Sequence, residues 1–217
     1  MSGQEAVKKY RVSEIFYSLQ GEGARAGTAN VFVRFSGCNM RCDREASELS
    51  PGGFACDTEF ESGRWMSAEE IVAEVLRLRP DPGVPGLWRA SVILTGGEPL
   101  LQVDDTMVDR LKSADFYVAL ETNGSLPLPR SRPDWVCVSP KVAEHALKIE
   151  AADEVKYVRS SGQGIPKPRI KARHLVLSPA AETWGIPPEN LAWCVRLVKD
   201  NPEWRLSVQQ HKAWRLR

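Results

Sequence analysis

The chain has 217 residues, of which 42% are hydrophobic, 26% charged and 8% aromatic, and 29 basic residues stand against 28 acidic ones for a formal net charge of +1. These proportions predict one globular domain spanning 1–217 and exclude a disordered chain, a coiled coil and a collagen-like repeat. No apolar run approaches the roughly 18 residues a membrane helix needs, and Glu5, Lys8, Lys9 and Arg11 interrupt the N-terminus where a secretory leader would be apolar. A cytoplasmic protein with no membrane partner is expected. The balanced charge supplies no global field for nucleic acid, so no direct nucleic-acid binding is expected either.

In chain order, Tyr10 to Tyr17 and Asn30 to Phe35 read as strands. Cys38 to Gly63 has little periodicity and reads as a long functional loop. Ser67 caps a helix over "SAEEIVAEVLRLR", with Glu70 three residues on and apolar residues at 71, 72, 75, 76 and 78. Ala90–Leu94 is a strand, Asp104–Ser113 a helix, and Phe116–Leu120 and Trp135–Val138 are strands. Ala143–Ala151 reads as a helix, Glu154–Val158 and His174–Leu177 as strands, Pro187–Val198 as a helix, and Trp204–Val208 as a last strand. This alternation predicts a parallel α/β sheet with its site at the carboxyl ends of the strands. Thr95–Glu98, Glu121–Gly124, Ser139–Lys141 and Ser178–Pro179 all fall there.

Five cysteines are an odd number, which argues against a disulfide framework. Cys137 and Cys194 sit in apolar runs and read as buried small hydrophobes. Cys38, Cys42 and Cys56 cluster within nineteen residues. Three thiolates on a loop suit zinc or an iron–sulfur cluster. A structural zinc site wants a fourth soft ligand, and His145, His174 and His211 are all remote in sequence. Three ligands alone suit a cluster with one iron left open.

Three further strings carry chemistry. In "TGGEPL", Thr95 to Leu100, paired glycines let a ligand approach the backbone and Glu98 offers a carboxylate to an ammonium group. In "FYSLQGEG", Phe16 to Gly23, Glu22 joins Arg34 of the next strand as an acceptor and a bidentate cation, either for a polar heterocycle bearing a carboxylate or as a structural ion pair. "SPK" (Ser139, Pro140, Lys141) and "LSP" (Leu177–Pro179) are short polar caps after strands.

Together these strings resemble the radical S-adenosylmethionine (SAM) superfamily, and within it the 7-carboxy-7-deazaguanine synthases. "EIFYSLQGEG", "FVRFSGCN", "CDT", "TGGEPLLQ", "ETNG", "SPK" and "QQHK" match that family in order, from about Tyr10 to the C-terminus. The resemblance implies an incomplete (β/α)6-type radical SAM barrel with a modified cluster loop. It also implies conversion of 6-carboxy-5,6,7,8-tetrahydropterin to 7-carboxy-7-deazaguanine and ammonia, a lyase step toward queuosine. The implied cofactors are a [4Fe-4S] cluster, SAM used catalytically, and Mg²⁺. The implied partners are an electron donor of flavodoxin type and a second copy of the chain in a homodimer.

By the same resemblance, Cys38, Cys42 and Cys56 hold the cluster and Thr58 the Mg²⁺, with Asp57 beside it. Leu19, Gln20, Gly21, Glu22, Arg34 and Thr95 contact the pterin, and Arg217 reaches it through the terminal carboxylate. Gly97, Glu98, Ser139, Pro140, Lys141 and Ser178 contact SAM. Two features depart from the family pattern. Thirteen residues, Asp43 to Ala55, separate the second and third cysteines where the superfamily usually has two, and Ser178 stands where relatives often have Gln. The alternatives are a glycyl-radical-enzyme activase, which shares the cluster and "GGEP", and a non-catalytic zinc-binding module.

Overall fold

The computed structural model describes residues 7–40, 42, 61–80, 89–182 and 185–216. Its strands are β1 (Lys9–Leu19), β2 (Ala29–Phe35), β3 (Arg64–Ser67), β4 (Ser91–Gly96), β5 (Tyr117–Thr122), β6 (Trp135–Val138), β7 (Ala151–Arg159), β8 (Lys171–Pro179) and β9 (Trp204–Leu206). The helices are α1 (Ala68–Leu78), α2 (Asp105–Ser113), α3 (Pro188–Asp200) and a single turn, α4 (Gln210–Ala213). All nine strands form one sheet in the order β3-β1-β2-β4-β5-β6-β7-β8-β9. From β2 onward every pairing is parallel, whereas β1 runs antiparallel to both β2 and β3. The order has two ends, so the sheet does not close.

The period-two alternation of the strands divides the sheet into an apolar face and a polar one. Val31, Val33 and Phe35 of β2, Val92 and Leu94 of β4, and Val118 and Leu120 of β5 pack with Ile71 and Val75 of α1 and Met107 and Leu111 of α2. A second cluster joins Val136 and Val138 of β6, Val155 and Tyr157 of β7, Leu177 of β8 and Trp204 of β9. The alternate residues, Arg34, Thr95, Glu121, Cys137, Glu154 and Lys156, lie on the other face. Burying the first set against helices therefore leaves the second set to line an interior.

Local chemistry explains the starts of α1 and α2. Ser67 accepts from the Glu70 amide while the Glu70 carboxylate accepts from the Ser67 amide, a reciprocal cap that starts α1. Asp104 caps α2 by accepting from Met107 N–H, and it also accepts from the Tyr10 hydroxyl at 2.8 Å. Cys137 and Cys194 are buried, as expected.

The helix expected over Ala143–Ala151 does not form. A single 3₁₀ turn at Glu144–Ala146 is followed by extended chain, because Lys148 N–H donates to the Gly124 carbonyl instead of to a preceding turn. Leu147 and Ile149 are buried while Lys148 and Glu150 are exposed, which is strand-like alternation. Two elements were not anticipated, the edge strand β3 and the turn α4.

Candidate active site

On the polar face lies a cavity of about 540 Å³. It is lined by Leu19, Gln20, Gly21, Glu22, Arg34 and Thr95, the six described residues that the sequence assigned to a pterin. Register explains the meeting. Arg34 of β2 pairs with Thr95 of β4, and Glu121, Cys137 and Glu154 continue the row across β5, β6 and β7.

One expectation about placement needs correcting. Leu19 pairs with Ala29, where β2 begins, so "QGEG" enters from the amino ends of the parallel strands. The cavity runs along the interior from that loop toward the carboxyl ends, where the "GGEP" string sits.

Of the two readings of Glu22 and Arg34, the structural ion pair between them does not form. Arg34 Nε donates to Glu14 Oε1 at 2.8 Å, and the guanidinium lies over the Phe16 ring. Glu22 is ion-paired with Lys156, and Gln209 Nε2 donates to its other oxygen at 3.0 Å. Lys156 Nζ also stands 3.8 Å from Glu121, which accepts from Gln20 Nε2 at 2.9 Å. The two cavity carboxylates thus differ. Burial pushes both up, but at Glu22 the direct Lys156 contact, Gln209 and His211 outweigh it and hold the carboxyl below its usual range. At Glu121 burial prevails over the more distant lysine, and Glu154 and Glu22 add repulsion, so its carboxyl is raised. Burial opposes the charge on Lys156, yet Glu22 and Glu121 hold that ammonium well above the ordinary lysine range.

The C-terminal segment completes the wall. Gln209, His211, Lys212 and Leu216 line the cavity, and Gln210 N–H donates to the Gly21 carbonyl at 3.0 Å. Sequence reading flagged "QQHK" by resemblance but assigned it no role. It missed Lys156, which alternation with Val155 and Tyr157 could have placed on the cavity face, and Glu14, which alternation could not, because the register shifts between Val12 and Glu14.

At the carboxyl ends, three strings are stitched together. Gly97 N–H donates to Phe35 O and Glu98 N–H to Gly37 O, at 3.2 and 2.9 Å. A Cβ on Gly97 would collide with the Gly37 carbonyl and the Cys38 side chain, so only glycine permits this approach. The Glu98 carboxylate, fully buried, accepts from Leu100 N–H, the Thr122 hydroxyl and Asn123 N–H at 2.9, 2.7 and 2.8 Å. It therefore braces the turn at the carboxyl ends, with Oε1 taking two of the donors and Oε2 one. Asn123 in turn donates to Asn39 Oδ1 at 3.0 Å, next to Cys38.

Cys38 and Cys42 are half-buried. Cys56, Asp57, Thr58 and Arg217 lie outside the described residues. Lys141 Nζ donates to Ser139 Oγ at 3.2 Å, and Ser178 is buried within β8 and does not line the cavity.

The chain is 45% identical over 203 residues to a 7-carboxy-7-deazaguanine synthase of Bacteroides thetaiotaomicron, covering 93% of this chain and 96% of that one. It belongs to the 7-carboxy-7-deazaguanine synthase family. A synthase of this family from Burkholderia multivorans is 38% identical over 218 residues, 94% of this chain and 97% of the relative. The crystal structure of QueE from Escherichia coli superposes with a TM-score of 0.63 at 26% identity, covering 94% and 95% of the two chains. No family model matches the chain. Like QueE, this synthase-family chain has the radical SAM barrel type of fold, here left open between β3 and β9. Among its described residues no helix is long and apolar enough to cross a membrane.

Proposed function

We propose that the chain acts as a 7-carboxy-7-deazaguanine synthase, converting 6-carboxy-5,6,7,8-tetrahydropterin to 7-carboxy-7-deazaguanine with loss of ammonia. The observation that supports this reading is the cavity, whose lining brings the cationic Arg34 and Lys156 together with the carboxyl groups of Glu22 and Glu121. Such a substrate has a carboxylate at one end and an amino-pyrimidine edge of N–H donors at the other. Arg34, steadied at Nε by Glu14, keeps its two Nη groups for the carboxylate. Glu22 and Glu121 take the donor edge, the ionised Glu22 as acceptor. Phe16 and Phe32, stacked with ring centroids 5.1 Å apart, supply an apolar wall.

A [4Fe-4S] cluster, SAM and Mg²⁺ are the cofactors of this reaction. Cys38 and Cys42, joined by Cys56 from outside the described residues, would hold the cluster through soft thiolates. The close approach at Gly97 seats the glycine string directly against Gly37 and Cys38, beside the thiolate assigned to the cluster. Gly97, Glu98, Ser139, Pro140, Lys141 and Ser178 are assigned to SAM, and Thr58 to Mg²⁺. When bound, cluster and SAM supply the radical chemistry that starts ring contraction. The chain's own residues hold the pterin, orient its C6 edge and exclude water from the cavity. The reading also includes a donor of flavodoxin type, a homodimer, a single core domain and a cytoplasmic setting. A glycyl-radical-enzyme activase works on a polypeptide and has no use for an interior cavity lined by Glu22, Arg34, Glu121 and Lys156.

The test is anaerobic protein reconstituted with iron and sulfide, then given SAM, dithionite, Mg²⁺ and 6-carboxytetrahydropterin. A brown protein that forms the deazaguanine acid and ammonia is expected. A brown protein that only cleaves SAM to 5′-deoxyadenosine would reject the substrate, and a colourless one retaining zinc would overturn the whole reading.

A further inference from the structure

Two buried charged residues of β7 have no assigned role. Glu154 and Lys156 are i and i+2 on one strand, so both project to the cavity face, while Val155 between them is in the core. They are 2% and 8% exposed, a burial that charged side chains reach only when paired. The closest partner of each belongs to one short loop, the "QGEG" segment and the turn after it. Lys156 is ion-paired with Glu22. Glu154 Oε2 accepts from Ala24 N–H at 2.7 Å, and its Oε1 accepts from the Cys137 thiol at 3.4 Å. Gly23 joins the two contacts at φ +69°, and a Cβ there would strike the Glu154 carboxylate. Ser207 fixes the same turn by accepting from Gly23 N–H at 2.8 Å.

We propose that Glu154 and Lys156 are positioning residues for pterin recognition, a two-point clamp on which β7 holds the 20–25 loop so that Glu22 faces the substrate as a carboxylate. The inference rests on the reading of the cavity as the pterin site. Glu154 acts through the backbone of Ala24 and fixes the path of the loop. Lys156 acts through Glu22 and fixes both its direction and its charge. The groups facing Glu22 are Lys156 from β7, Gln209 and His211 from the C-terminal segment, and Glu121 from β5. Of these Lys156 is the direct ion-pair partner, so without it Gln209 and His211 are left to oppose burial.

The experiment is a double-mutant cycle of Lys156→Met and Glu22→Gln. It is read by calorimetric binding of 6-carboxytetrahydropterin to reconstituted protein with Mg²⁺ and no reductant, together with the pH profile of kcat/KM. Lys156→Met is expected to weaken binding roughly 10- to 100-fold and to move the acid limb of the profile to higher pH. In the Glu22→Gln background the same change is expected to cost less than about threefold, because coupled residues are not additive. Gly23→Ala is expected to raise KM more than it lowers kcat. Thermal unfolding of each variant separates loss of fold from loss of binding. A Lys156→Met protein that fails to fold while the double variant folds shows the same coupling. Equal losses in both backgrounds with an unmoved acid limb would overturn the clamp alone, as would unfolding of both variants. Wild-type protein that does not bind the pterin would overturn the cavity reading and the clamp with it.

Discussion

In the proposed binding mode Arg34 meets the substrate carboxylate, and Glu14 at its Nε and the Phe16 ring against its plane orient it. Glu14→Gln should therefore raise KM for the pterin by about three- to tenfold with a smaller change in kcat, since a weakened orienting bond removes binding more than chemistry. An unchanged KM in steady-state kinetics would show that Arg34 needs no such support. Glu98 supports the fold from inside, accepting from three donors. Thr122→Val leaves its Oε1 with Leu100 N–H alone, and the loss in urea denaturation should be about 1–2 kcal/mol. Burial raises the Glu98 carboxyl despite its three donors, so the fold holds the protonated form more tightly than the unfolded chain does. The stability this contributes is present at acid pH and is lost as pH rises through the folded value. Stability measured against pH in wild type and Glu98→Gln should converge at low pH and diverge above it.

The elements most legible from sequence are those with complete local signals. Ser67 and Glu70 predicted the start of α1, and the structure places both halves of the reciprocal cap there. Ser67→Ala should lower stability by about 1 kcal/mol in chemical denaturation, and a change near zero would mean that packing of Ile71 and Val75 alone sets the helix. The stretch at 143–151 misled because its helix-forming residues are overruled by a tertiary bond, Lys148 N–H to Gly124 O. The edge strand β3 was hidden because four residues pairing with β1 leave too short a pattern. The site divides in the same way. Strings such as "QGEG" and "GGEP" announce themselves, whereas Glu14, Glu154 and Lys156 are single charged residues whose partners lie across the sheet or 130 positions away. Only a fold brings them together.

Over the whole molecule, one open sheet separates two tasks: its apolar face carries the helices and the core, and its polar face carries the cavity. The C-terminal segment packs on the loop between β1 and β2, with Gln209 on Glu22 and Gln210 on Gly21. Truncation after Val208 should leave the fold intact, because Trp204 remains to fill its cluster, yet raise KM for the pterin at least tenfold as Gln209, His211, Lys212 and Leu216 leave the wall. A truncated enzyme with unchanged KM would show that the wall is dispensable.

The central claim is that this cavity recognises a carboxylated pterin. The most direct measurement compares binding of 6-carboxytetrahydropterin with tetrahydropterin lacking the carboxylate, in wild type and in Arg34→Ala. The account predicts that wild type prefers the carboxylated ligand by roughly 10-fold or more and that Arg34→Ala abolishes the preference while still binding both weakly. Equal wild-type affinity for the two ligands, or a preference that survives in Arg34→Ala, would contradict it.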